Sequence, residues 1–364
     1  MRLPKQTYML EKNSMPVPEV RRRDFLAAAV AATPALAGQT PGSYRIDCQS
    51  HLYVPEILAL MEKRQGSPRA YRQAGDLYVL VNQWARRVLP KHTDVDAKLA
   101  DMDGANIRTT MLSINDPGPE LFGVDGPQVA RTAHDFLADV MKAHPSRFIG
   151  LATLPLQDMD ASLSELTRCV DKLQFRGILL YSNLDGKWPD EPQFRPLFRR
   201  AAETGIPILL HPAYPATYDQ TSGYEMAATL GLMFDTSIAL TRIILAGMLD
   251  EFPKLKLVCP HVGGTVPYLI GRMDHQTQVL KRGIRYIRKP PSEYLRQIWL
   301  DAVSPRPEAI RYGCDLVGMD RMLYGSDHPW VDPKLIANCI HEIKLSPADE
   351  RKVFAGNAEK LFQL

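Results

Sequence analysis

Residues 205–212 read Gly205-Ile206-Pro207-Ile208-Leu209-Leu210-His211-Pro212, and they follow an amphipathic stretch over 194–204. Glycine stops the helix, the run 207–210 is a short strand without a polar side chain, and a histidine stands just past it. A strand apolar on both faces is covered on both faces, as in parallel sheets wrapped by helices. Outward from this unit, similar short apolar runs lie at 44–48, 107–113, 148–154, 177–180, 256–259, 298–300 and 322–324. Helical spacing fills the gaps; Leu163, Leu166, Val170 and Leu173 share one face of such a segment. Eight strand–helix units predict an α/β fold, a parallel sheet closed into a (β/α)8 TIM barrel. A doubly wound open sheet is the alternative, but no Gly-x-Gly-x-x-Gly follows the first strand. One connection is long: residues 56–95 hold Leu77-Tyr78-Val79-Leu80-Val81 among many charges. They predict a small insertion after the first strand, a hairpin or lid over the barrel mouth.

The 364 residues are 45% hydrophobic and 23% charged, which excludes a disordered or coiled-coil body. Five scattered cysteines with no Cys-x-x-Cys exclude a disulfide scaffold or zinc ribbon. No run of 18 apolar residues occurs, which predicts no membrane contact for the mature chain. The formal charge of +3 is too small to suggest nucleic acid, and no basic stripe interleaved with aromatics appears. Residues 1–37 hold six basic side chains and three acidic ones, so the remaining 327 residues carry 38 of each sign. That leader contains Arg22-Arg23-Asp24-Phe25-Leu26, an alanine-rich apolar run, and Ala35-Leu36-Ala37. This order resembles a twin-arginine signal peptide over 1–37, which implies export to the periplasm and a barrel over 38–364. Met15 is an alternative start.

The residues just past the strands carry the chemistry. Asp47-Cys48-Gln49-Ser50-His51 ends the first strand, His211 the fifth, His261-Val262-Gly263-Gly264 the sixth, and Gly325-Ser326-Asp327-His328-Pro329 the eighth. In a barrel these ends converge on one pocket. Two imidazoles and a carboxylate with open positions suit a catalytic divalent metal. Asp301, past the seventh strand, is read as a helix cap in preference to a residue that supports the ligands from behind, and Asp47 as an orienting or structural residue. His92, His134, His144, His275 and His341 fall on helices or surface turns and receive no role.

With these residues in view, Ile46-Asp47-x-Gln49-x-His51-x-x-Val54-Pro55-Glu56 resembles the opening of the amidohydrolase-related family. The resemblance is to its branch of aminocarboxymuconate-semialdehyde and aromatic acid decarboxylases. His211-Pro212, His261-x-Gly263-Gly264, Gly325-Ser326-Asp327-x-Pro329 and Gly356-Asn357-Ala358-x-Lys360-Leu361 are similar to its later motifs. The resemblance runs from about Tyr44 to Leu364 and implies one divalent metal ion, zinc or manganese. It implies Gln49, His51, His211 and Asp327 as ligands, with His261 as catalytic acid–base residue and Asp327 as its catalytic partner. The family has His or Glu where this chain has Gln49. A neutral amide oxygen is a poorer zinc ligand than imidazole, so the site is expected to bind metal weakly or to favour a harder ion, with a metal-free site as the other reading. Residues 179–183 contain no lysine for a second metal.

The implied reaction is non-oxidative decarboxylation of an aromatic or unsaturated carboxylic acid. Arg86 lies near the position where the decarboxylases bind a carboxylate, a solvated pair with Arg87 in the lid being the other reading, and homodimers are implied. A hydrolase of a lactone, ester or amide on the same barrel is the first alternative. A non-catalytic ligand-binding barrel is the second.

Overall fold

In a computed structural model the described residues are 44–282 and 286–364. The leader expected over 1–37 lies outside them. Eight parallel strands are hydrogen-bonded in one order: β1 (Arg45–Leu52), β5 (Ile107–Ile114), β6 (Phe148–Thr153), β7 (Gly177–Tyr181), β8 (Ile208–His211), β9 (Leu257–Cys259), β10 (Trp299–Asp301) and β11 (Met322–Leu323). The predicted runs fall on these strands. The seam closes where the Cys48 amide donates to the Tyr324 carbonyl at 2.9 Å and the Asp327 amide to the Gln49 carbonyl at 2.9 Å. The closing contact therefore sets the first and last strands' chemistry side by side.

Helices fill the connections in sequence: α1 (Pro55–Glu62), α2 (Val95–Gly104), α3 (Gly126–Ala143), α4 (Met159–Asp171), α5 (Arg195–Thr204), α6 (Leu232–Leu245), α7 (Val266–Asp274), α8 (Pro307–Val317) and α9 (Pro333–Glu342). Local chemistry places their ends. Asp94 and Asp158 accept from the third amides of α2 and α4 at 3.0 Å. Gly205 ends α5 at φ 72°, where a Cβ would be strained. Leu197, Phe198 and Ala201 of α5 are fully buried in the hydrophobic core. Leu197 and Phe198 each contribute about 1.5–3 kcal/mol by leaving water.

The insertion is a three-stranded antiparallel sheet rather than a single hairpin: β2 (Arg69–Gln73), β3 (Asp76–Val81) and β4 (Trp84–Val88). Its buried stripe is Ala70, Val79, Val81 and Trp84. The Tyr218 hydroxyl, from the loop after β8, donates to the Gln83 carbonyl at 3.1 Å, so the insertion reaches the loop that follows His211.

One helical run, Gly223–Leu245, is long and apolar enough by length and composition to cross a membrane, which the search for unbroken apolar stretches missed. It packs on the barrel. Leu240, Ile243 and Ile244 are buried, and Asp235 accepts from the Asn183 amide at 2.8 Å and the Ala216 backbone amide at 2.9 Å.

Candidate metal centre

Gln49 and His51 lie on β1, His211 ends β8, and Asp327 follows β11. Asp327 Oδ1 is 3.3 Å from His51 Nε2 and 3.6 Å from His211 Nε2. The two imidazole centroids are 4.3 Å apart. Two ligands each ~2.1 Å from one ion at the tetrahedral angle would lie about 3.4 Å apart. The spacing therefore fits a shared cation.

Hydrogen bonding leaves each of the two imidazoles with its Nε2 free to serve as a ligand. The His211 Nδ1–H donates to the Pro212 carbonyl at 2.8 Å. The Ser113 hydroxyl donates to the Ser50 carbonyl and so accepts from His51 Nδ1 at 2.7 Å. In both rings the Nε2 lone pair is left facing Asp327, the outer-shell arrangement typical of metal-bound histidine. Burial lowers the His51 pKa to about 4, which keeps it neutral. Asp327 is held well below the usual carboxylate range; burial opposes this, and the surrounding His211, His261 and His51 rings outweigh it.

The buried polar atoms without a hydrogen-bond partner include Gln49 Oε1, His51 Nε2, His211 Nε2 and Asp327 Oδ1. Buried polar atoms are rarely left unmatched, because each costs about 1–3 kcal/mol. These four are the donor set expected from the sequence. Oxygen and imidazole donors of this kind suit zinc or manganese.

His261 completes the cluster. Its Nε2 lies 3.5 Å from Asp327 Oδ2 and 3.4 Å from Gln49 Nε2. Burial would lower its pKa, but Asp327 and then Asp301 raise it instead. The backbone is strained at both residues: φ is 55° at His261 and 56° at Asp327, the left-handed region that side chains other than glycine rarely adopt. Such strain persists only where the surroundings hold it. For His261 the holder is Asp301, whose Oδ1 accepts from the His261 amide at 2.8 Å and the Val303 amide at 3.0 Å. Asp301 thus anchors the His261 turn and does not cap α8, whose N-cap is Arg306. Asp47 plays a similar part at the seam, accepting from the Ser326 amide at 2.8 Å and hydroxyl at 2.6 Å.

Arg86, on β4, reaches the loop after β5. Its Nη2 donates to Asp116 Oδ2 at 2.6 Å and Nη1 to the other oxygen, with the side chains 11% and 7% exposed. Its charge is therefore committed to the protein. His92 was expected on a helix or surface turn; it is 1% exposed, 4.4 Å from the Trp330 ring. Sequence reasoning also missed Ser113 and Lys98. Lys98 is buried on α2 and donates to the Ser50 hydroxyl at 2.6 Å and His328 Nδ1 at 2.7 Å. The signal for Ser113 was a hydroxyl near the carboxyl end of a barrel strand. Lys98 had no signal beyond helical spacing.

The amidohydrolase family model matches residues 46–364. A gamma-resorcylate decarboxylase of Rhizobium sp. (strain MTP-10005) is 31% identical over 284 residues, covering 74% of this chain and 87% of its own length. A 2-amino-3-carboxymuconate-6-semialdehyde decarboxylase of Dictyostelium discoideum is 29% identical over 274 residues, 73% and 75% of the two chains. Among solved structures, 5-carboxyvanillate decarboxylase of Novosphingobium aromaticivorans, complexed with manganese and 4-hydroxy-3-methoxy-5-nitrobenzoic acid, superposes at TM-score 0.79 and 25% identity, covering 92% of this chain and all of that one. The matched span takes in every strand of the barrel but the first residue of β1, and the chain belongs to the amidohydrolase family.

Proposed function

We propose that the protein is a metal-dependent, non-oxidative decarboxylase of a small aromatic or unsaturated carboxylic acid. The observation that carries this reading is the set of four unmatched buried atoms, Gln49 Oε1, His51 Nε2, His211 Nε2 and Asp327 Oδ1, with His261 beside them. Those four would hold one divalent ion. Bound there, it would supply Lewis-acid charge for the electron pair left on the substrate as CO₂ departs. His261, its proton held by Asp327 and Asp301, delivers that proton to the carbon and is recharged from solvent. Asp327 serves His261 through one oxygen and the ligand set through the other. The names of the relatives favour loss of CO₂ over hydrolysis.

The leader over 1–37 supports export through the twin-arginine route, and the relatedness supports a homodimer; cell fractionation and light scattering test these two. The reaction itself is tested by incubating manganese-loaded protein with 2,6-dihydroxybenzoate and related ring acids. CO₂ release with no ¹⁸O from labelled water incorporated into the aromatic product is expected. Cleavage of an ester, lactone or amide with uptake of labelled water, and no CO₂ from any acid, would overturn the reading in favour of a hydrolase.

A further inference from the structure

The metal centre lies at the carboxyl ends of the strands; a second cavity, of about 190 Å³, opens at their amino ends. Lys256 stands just before β9, Gln297 and Trp299 before and at the start of β10, and Arg321 just before β11. All four line the cavity, with Lys254 from the turn that leads into β9. In a barrel the catalytic loops gather at the carboxyl end, so this cavity is on the face opposite His51, His211 and Asp327. A cavity of ~150 Å³ already admits benzene, so a ring-sized molecule fits here.

The charge of the cavity is one-sided. Lys254, Lys256 and Arg321 line it, and among the described residues no acidic side chain does. The acids beside these residues in sequence are engaged elsewhere: Glu251 pairs with Arg195, Asp250 accepts from the Arg288 amide at 3.0 Å, and Asp320 lies 3.1 Å from Lys352 Nζ. Lys256 Nζ reaches the Leu361 carbonyl at 3.4 Å, and Lys254 enters no ion pair among the described residues. Arg321 Nη1 is buried without a hydrogen-bond partner. The guanidinium carbon lies 3.8 Å from the centre of the Trp299 ring, a contact that holds the fork in place without spending an N–H. Burial lowers the Arg321 pKa, and the Asp320 charge offsets this only in part. A buried nitrogen left unmatched on a cation is costly, and an arriving anion removes that cost.

The other wall is apolar: Leu249 and Leu255 are 5% and 7% exposed, and the Trp299 indole stands with them. The cavity therefore has a place for negative charge beside a place for an apolar body. A single carboxylate would leave most of the charge of three cations unanswered. A dicarboxylate carries its charges at two ends, and neither end then suits the leucines. A phosphate monoester carries close to two charges and three acceptor oxygens on one head, and leaves its organic group for the apolar wall.

We propose that the amino-terminal end of the barrel holds a binding site for a small organic phosphate, with Lys254, Lys256 and Arg321 on the phosphate and Leu249, Leu255 and Trp299 on the organic group. This site is separate from the metal centre and does not depend on the decarboxylase reading.

The test is calorimetric titration of manganese-loaded protein at about pH 8, where a phosphate monoester is doubly charged. The probes are phenyl phosphate, methyl phosphate, benzenesulfonate and succinate. One equivalent of phenyl phosphate is expected to bind, about tenfold or more tightly than each of the others. Methyl phosphate lacks the apolar body, benzenesulfonate the second charge, and succinate the single charged head. Arg321→Gln is expected to weaken phenyl phosphate about tenfold, and Lys254→Gln, at an exposed position where the fold is not at stake, about threefold. His211→Ala, at the other end of the barrel, is expected to leave that equivalent unchanged. No binding of phenyl phosphate to the wild type, equal binding of any other probe, or an affinity unmoved by both Arg321→Gln and Lys254→Gln would overturn the site. So would loss of binding in His211→Ala, which would put the phosphate on the metal centre instead.

Discussion

At the barrel mouth His51, His211 and Asp327 bring ligand atoms within 4.8 Å of one another, and on the outer layer, between α3 and α4, His134, Glu165 and Cys169 do the same. The outer group is buried, the mouth group buried at His51 and half-buried at His211 and Asp327, and both combine imidazole with carboxylate. In the outer group every donor is spent. His134 Nδ1–H donates to Glu165 Oε1 at 2.8 Å, and Nε2 accepts from the Thr153 amide at 3.0 Å. Arg168 Nε holds the other Glu165 oxygen at 2.9 Å. Burial raises the Cys169 pKa, so the thiol keeps its proton and is a poor ligand. At the mouth the Nδ1 atoms are spent, while the Nε2 atoms and Asp327 Oδ1 are not. Spacing alone does not make a metal centre; free lone pairs do. The outer group is a structural clamp between two helices, and the mouth group is chemical.

The contrast breaks most visibly at Asp327. Asp327→Asn is expected to lower turnover by roughly a thousandfold or more, because it removes a charged ligand and the partner of His261 together. The thermal midpoint should move by only a few degrees, and steady-state kinetics beside a melting curve checks both. Gln49→His comes next. Exchanging the amide oxygen for an imidazole is expected to tighten zinc binding about 10–100-fold, read by competition with a chromophoric chelator. No change would mean that Gln49 stands outside the ligand set.

The outer clamp should answer in stability instead of activity. Glu165→Gln is expected to cost about 2–3 kcal/mol in urea unfolding, since it strips charged hydrogen bonds from His134 and Arg168, with turnover nearly unchanged. The Glu165 pKa is lowered to about 2; burial opposes the shift, and the His134 and Arg168 hydrogen bonds prevail. A carboxyl depressed in the folded state stabilises above its unfolded value, 4.5 here, and that contribution fades as pH falls toward 2. The stability gap between wild type and Glu165→Gln should therefore be full at pH 6 and shrink steadily below about pH 4.5.

The barrel was legible because its strands are short apolar runs bounded by chain-breaking residues, a pattern that needs no tertiary information. The mouth was legible for a related reason: topology carries every strand end to one face, so polar residues at those ends can be assigned to one site before any distance is known. What escaped were residues whose meaning depends on a partner far away in sequence. His92 looks like a turn histidine until Trp330 covers it. Arg86 looks like a free cation until Asp116 takes its fork. For Asp301 the sequence leaves a cap and a supporting role open and favours the cap, and the His261 and Val303 amides decide for the support. The third strand of the insertion was missed because Trp84-Ala85-Arg86-Arg87-Val88 alternates weakly and carries two charges.

Manganese stoichiometry is the most direct test. Metal-stripped wild type, His211→Ala and Cys169→Ala would be dialysed against the same manganese solution and measured by mass spectrometry. One manganese per chain in the wild type and in Cys169→Ala, with background levels in His211→Ala, is the expected result. Wild type without manganese, or a Cys169→Ala protein that loses it while His211→Ala keeps it, would contradict a metal centre at the barrel mouth.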